Sequence, residues 1–154
     1  MQACLTRRSA SLALLLTAAL PLALSLPSRA ANELPLAIKG YDPVAYFTEG
    51  KPTKGDPKYS YDWDDGRYYF ASEKHRTLFK SDPDKYAPQF GGYCTGSMSR
   101  GVRNEGDPQG WMINDGKLYV LGNGAKGRET MLSDPTYLPT RIPAAQKNWK
   151  AKTS

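Results

Sequence analysis

Tyr59-Ser60-Tyr61-Asp62-Trp63-Asp64-Asp65-Gly66-Arg67-Tyr68-Tyr69-Phe70 is the stretch on which the fold turns. Tyr59, Tyr61 and Trp63 alternate with Ser60 and Asp62, so three rings share one face of a strand. Asp65-Gly66 is a tight-turn dipeptide, and Arg67 to Phe70 returns as a second strand. The stretch predicts an antiparallel hairpin with an aromatic face. Ser72 then predicts an N-cap for a helix over Glu73 to about Lys80, with His75, Leu78 and Phe79 at helical spacing. Asp82-Pro83 starts a further short turn of helix, with Asp as cap and Pro at the first position.

The same grammar recurs downstream. Trp111-Met112-Ile113 is a short apolar strand, Asn114-Asp115-Gly116 a turn, and Leu118 to Leu121 the return strand. A polar helical stretch follows to near Ser133, then Asp134-Pro135, and Asn148-Trp149 docks a last helix. The order of Trp, Asp-Gly, aromatic strand, helix and Asp-Pro suggests a weak internal repeat. The expected fold is a small single α+β domain of short antiparallel hairpins packed by helices.

Upstream of this domain the chain reads as an address. Arg7 and Arg8 form a basic start, Leu12 to Leu26 carries no charge, and Ser28 and Ala30 are small residues in the positions a signal peptidase needs. Residues 1–30 are therefore expected to be a signal peptide cleaved after Ala30, leaving a domain over 31–154. The apolar run is short for a spanning helix and Pro21 interrupts it, so no stable membrane span is expected after cleavage. A periplasmic or secreted location follows. Removing Arg7, Arg8 and Arg29 lowers the net charge from +6 to +3. Half of the apparent basicity is thus targeting, and a nucleic-acid partner loses its support. Cys4 leaves with the peptide.

The remaining chemistry is sparse. Of 154 residues only 2 are Cys and 1 is His, which excludes a zinc ribbon, a disulfide scaffold and a His-rich metalloenzyme. Covalent c-type haem is excluded because there is no Cys-x-x-Cys-His. Gln89-Phe90-Gly91-Gly92-Tyr93-Cys94-Thr95-Gly96 joins adjacent glycines to a ring and the one cysteine of residues 31–154. It lacks the Gly-Lys-Ser/Thr ending of a phosphate loop. Asp42-Pro43 and the other Asp-Pro pairs read as turn and cap devices.

Several separated motifs together resemble the YHS domain family. They are Gly40-Tyr41-Asp42-Pro43-Val44-Ala45-Tyr46-Phe47, Tyr69-Phe70-Ala71-Ser72-Glu73, Asp82-Pro83-Asp84-Lys85-Tyr86-Ala87-Pro88, Gly91-Gly92-Tyr93-Cys94 and Gly116-Lys117-Leu118-Tyr119. The likeness spans nearly all of residues 31–154 and is nearest to the exported bacterial branch. The wider family is related to the TRASH-like domains and tied to metal handling. Metal-linked relatives typically carry Cys where this chain has Ala45 and Ala71, with a further Cys or His near His75. Alanine cannot bind a metal, so the resemblance implies the fold and weakens the metal site.

The resulting expectation is an exported binding or accessory module, holding a metal ion, a haem-like group or a small apolar ligand in a Tyr-lined pocket. Tyr41, His75, Arg76, Tyr93 and Cys94 are its candidate lining, and His75 with Cys94 its candidate metal ligands. Imidazole and thiol are expected to face one shared pocket. The alternatives are a structural or interaction domain with a vestigial metal site, bound to an exported protein partner, and a Cys-His thiol-redox protein or enzyme. So few catalytic side chains argue against an enzyme.

Overall fold

The computed structural model describes residues 33–153. The expected signal peptide lies outside the described residues. Strand β1 (Asp56–Trp63) pairs antiparallel with β2 (Gly66–Phe70), and β3 (Trp111–Asn114) with β4 (Lys117–Val120), giving two separate two-stranded sheets. Helix α1 (Ala45–Thr48) precedes the first hairpin; α2 (Glu73–Ser81) and α3 (Pro83–Tyr86) follow it. Helix α4 (Thr95–Met98) precedes the second hairpin; α5 (Gly124–Ser133) and α6 (Tyr137–Thr153) follow it. The domain is α+β, as the patterning requires.

Local chemistry sets the element boundaries. The Ser72 hydroxyl caps α2 by accepting from the His75 N–H at 3.2 Å. Asp82 caps α3 by accepting from the Lys85 N–H at 3.2 Å, with Pro83 at the start of the helix. The second hairpin turns on Asp115-Gly116, both at positive φ. The first hairpin turns one residue earlier than its Asp-Gly dipeptide suggests. Trp63 pairs with Gly66, so Asp64-Asp65 is the loop and Asp64 takes the left-handed conformation at φ 52°. Asp is one of the few side chains that adopt it at low cost.

The internal repeat extends well beyond the hairpins. Each hairpin is introduced by a tight turn with three consecutive residues at positive φ: Ile38, Lys39 and Gly40 in one half, Phe90, Gly91 and Gly92 in the other. Equivalent bridges tie each turn to its own hairpin, Leu36 to Arg67 and Pro88 to Leu118, both parallel. Antiparallel bridges link Tyr41 to Lys54 and Tyr93 to Glu105. The Asp42 N–H donates to Thr53 O and the Cys94 N–H to Asn104 O, each at 2.9 Å. Asp42 and Cys94 therefore occupy equivalent places in the two halves.

β4 divides the core. Leu118 and Val120 point into a cluster with Val44, Tyr46, Tyr68, Phe70 and Phe79. Tyr119 and its neighbour Leu121 point the other way, into a cluster with Phe90, Met98, Met131 and Leu138. A strand buried on both faces must be apolar at successive positions, and Leu118 to Leu121 is. Phe79 is the hub of the first cluster, with ring centroids 4.8 Å from Tyr68 and 5.2 Å from Phe70. Trp149 of α6 closes the second against Phe90 and Tyr93. No helix among the described residues is long and apolar enough to cross a membrane.

Candidate functional site

His75 is the third residue of α2, and its amphipathic position turns it inward. Its Nδ1 lies 2.6 Å from Asp42 Oδ2, and its Nε2 lies 3.4 Å from Thr48 Oγ1 and 4.0 Å from a Glu49 carboxylate oxygen. Asp42 has no solvent exposure. Its Oδ1 accepts from the backbone N–H groups of Val44 at 2.8 Å and Ala45 at 3.3 Å, and its Oδ2 accepts from the Ala71 N–H at 2.8 Å. The carboxylate is thus surrounded by three backbone donors and an imidazole. A buried carboxylate needs such company, because desolvating an unpaired one is prohibitive. The arrangement pins α1, the end of β2 and α2 together.

Cys94 sits at the equivalent point of the other half. Burial pushes its thiol pKa up, but hydrogen bonds from the Gly122 N–H, from the Ser97 hydroxyl and N–H, and from the Gly96 N–H outweigh this and hold it below the ordinary thiol value. Asn104 Nδ2 donates to the Ser97 oxygen at 3.2 Å, which leaves the hydroxyl proton for the sulfur. The thiol is half-buried and lines a cavity of about 500 Å³ with Ser97, Arg100, Asn104, Thr130 and Tyr137. Lowered thiol pKa and access to solvent are the two conditions for a nucleophilic or metal-binding sulfur.

The two rarest side chains belong to different centres. The ring nitrogens of His75 meet Asp42, Thr48 and Glu49, whereas the Cys94 sulfur meets the Ser97 hydroxyl and backbone of its own half. His75 does not line the cavity at Cys94. The reason is the repeat: each half builds its own seat between its introducing turn and its own hairpin. Among the described residues there is no group of three or more His, Cys, Asp or Glu placed to hold a metal ion.

The other candidates serve packing and surface roles. The Tyr41 ring lies under Lys54 Nζ at 4.7 Å. Arg76 pairs with Glu73 at 2.7 Å on the exposed face of α2. Tyr93 is half-buried beside Trp149, and Arg103 stacks over both rings, 5.5 Å from one centroid and 4.5 Å from the other. A second cavity of about 260 Å³ lies where the two introducing turns meet, with Tyr93 on its wall. A third, of about 480 Å³, lies between Trp63 and Trp149.

Sequence reasoning passed over Asp42, treating it as a turn device. The available signal was the parallel between Gly40-Tyr41-Asp42 and Gly92-Tyr93-Cys94, which marks position 42 as the counterpart of the cysteine. No family model, curated protein or solved structure matches this chain.

Proposed function

We propose that this chain is an exported, YHS-like binding module whose ligand seat is the cavity at Cys94. One observation carries the reading: a sulfur aimed at by backbone and hydroxyl donors forms part of the wall of an open cavity of about 500 Å³. Cavities that bind small molecules combine such a volume with a few convergent polar groups. The lining is largely polar, with Arg100, Asn104, Thr130 and Tyr137 beside the thiol. That chemistry favours a small polar ligand over a haem-like or apolar one. Nothing adjacent to Cys94 supplies the imidazole base that a cysteine nucleophile ordinarily requires, so binding is the better-supported role. In the first half the Asp42–His75 pair is a structural pin: the His75 side chain is 11% exposed and the carboxylate not at all.

The test is native mass spectrometry of the full chain purified from its own compartment, beside Cys94→Ser and His75→Ala. The reading expects a co-purifying mass that Cys94→Ser loses and His75→Ala retains. A ligand unaffected by Cys94→Ser, or a wild-type protein that carries none and shows no thiol protection in extract, refutes it.

A further inference from the structure

We propose that the cavity between Trp63 and Trp149 is a carbohydrate-binding site. An indole packs against the C–H face of a pyranose ring, and the Tyr68 hydroxyl and Asp65 carboxylate hold one of its hydroxyls between them. The site shares no lining residue with the cavity at Cys94 and does not depend on it.

The starting point is a phenol without a partner. The Tyr68 ring belongs to the first core cluster, and the residue is 2% exposed. A buried Tyr hydroxyl ordinarily finds a hydrogen-bond partner. Among the described residues this one has none. The polar side-chain atoms that are both sealed and unpartnered among the described residues are Thr95 Oγ1 and Arg103 Nε. The Tyr68 oxygen is therefore not sealed, and the space it meets is the cavity of about 480 Å³ that Tyr68 lines. Burial, with the nearby Asp65 and Asp64 carboxylates, pushes the phenol pKa up, so the group stays a donor.

Glycine lets a ring and an acid converge beside it. A Cβ on Gly91 would lie 3.3 Å from Trp149 Cη2 and 3.7 Å from Asp65 Oδ1. The bare backbone thus keeps an indole edge and a carboxylate oxygen within reach of one point. Gly91 and Asp65 also line the cavity of about 260 Å³, so the two cavities adjoin and offer length for more than one sugar ring. Their size falls in the range of small-molecule sites, about 300–1,000 Å³.

The ligand class follows from what each wall can satisfy. The Asp64 and Asp65 carboxylates accept no hydrogen bond among the described residues and call for donors. The Tyr68 hydroxyl calls for an acceptor. An ammonium group donates but cannot accept. An anion accepts but is repelled by the two carboxylates, and an apolar molecule strips them of water and returns nothing. A hydroxyl donates and accepts at one atom. The amides of Gln89 and Gln146 extend the polar rim past what a single hydroxyl uses, and Lys117 and Lys150 offset the acidic charge. The indoles add apolar surface. A pyranose has that combination, with hydroxyls around its rim and C–H groups on its faces.

The experiment titrates the full chain with maltose, cellobiose and N,N′-diacetylchitobiose, read by tryptophan fluorescence and isothermal calorimetry, with methylammonium and phenol as comparators. The expected result is one-to-one saturation by at least one disaccharide, with a shift in indole emission and a Kd at or below about 1 mM. Tyr68→Phe and Asp65→Asn should each weaken it about fivefold. Tyr68→Phe should keep the wild-type thermal transition, because the hydroxyl it removes has no partner within the fold. Saturation by none of the three sugars below about 10 mM overturns the inference. So does tighter binding of methylammonium or phenol, or sugar binding that either variant leaves unchanged. A lower thermal transition in Tyr68→Phe also overturns it, since the hydroxyl then has a partner in the protein.

Discussion

Asp42→Ala removes the acceptor at the centre of the first seat, and the structure sets the scale of the loss. Two strong N–H bonds, from Val44 and Ala71 at 2.8 Å each, lose their partner, as does the weaker one from Ala45 at 3.3 Å. Each buried donor left unmet costs about 1–3 kcal/mol. The His75 ring also loses its 2.6 Å partner, a further buried polar group left unmet at about 1–3 kcal/mol. These terms overlap, since the protein relaxes once around one hole. We expect a loss of about 4 kcal/mol, against a total of about 5–15 kcal/mol for a domain of this kind. His75→Ala leaves the carboxylate with its three backbone donors and should cost about half as much. Urea denaturation followed by tryptophan fluorescence measures both. At an m of about 1.5 kcal/mol/M the Asp42→Ala midpoint should fall by between about 2 and 3 M. A fall of less than about 0.5 M with m unchanged, or a His75→Ala protein less stable than Asp42→Ala, would refute the claim that the backbone donors, rather than the imidazole, are the main partners of Asp42.

In the form lacking residues 1–30, and with them Cys4, iodoacetamide should alkylate Cys94 with a pH midpoint below that of the same form in denaturant, and Cys94→Ser should abolish the reaction; equal midpoints count against the donor set around the sulfur. The sign of the linked stability follows: a thiol pKa depressed on folding adds stability above the unfolded thiol pKa of about 8.5, and that contribution fades as pH falls through the folded value. Gly106→Ala should cost about 2–3 kcal/mol, because its Cβ would meet the Gly92 carbonyl oxygen and the Val120 side chain; a neutral result in thermal melts would mean the two turns yield more easily than their packing implies. Exported protein should begin at or close to Ala31 by intact mass, and a full-length chain in the membrane fraction contradicts the signal-peptide reading.

The hairpins, the caps at Ser72 and Asp82, and the last helix were legible because each rests on local rules: period-two rings, turn dipeptides and side-chain acceptors at helix starts. The first turn was misplaced by one residue because both Asp64-Asp65 and Asp65-Gly66 can turn, and only the pairing of Trp63 with Gly66 decides between them. The candidate site was less legible. Cys94 announced itself by rarity, but the partners of its sulfur are mostly backbone N–H groups, which no residue type advertises. His75 was equally visible, yet its partner Asp42 lies far off in sequence and carries the look of a turn residue. Pairing the two rare side chains was a guess about long-range geometry, and the repeat keeps each in its own half.

That repeat also explains why one half is closed and the other open. Duplicating a turn, a hairpin and a helix duplicates the donors, and donors fixed by backbone survive any change of side chain at the position they face. The first copy uses them on a carboxylate and seals the seat with an imidazole, which leaves Asp42 without solvent access and ties three elements together. The second copy faces the same kind of donors with sulfur and leaves the sealing position to a lysine that points outward. Stability therefore concentrates in the copy with the buried pair, and accessible chemistry in the copy without it. A double variant tests this division directly. Cys94→Asp with Lys126→His should rebuild the first seat in the second half, raise the thermal transition above that of Cys94→Asp alone, and fill the cavity beside residue 94. If the added imidazole brings no stability, the two seats are not interchangeable and the equivalence drawn from their bridges and donors is wrong.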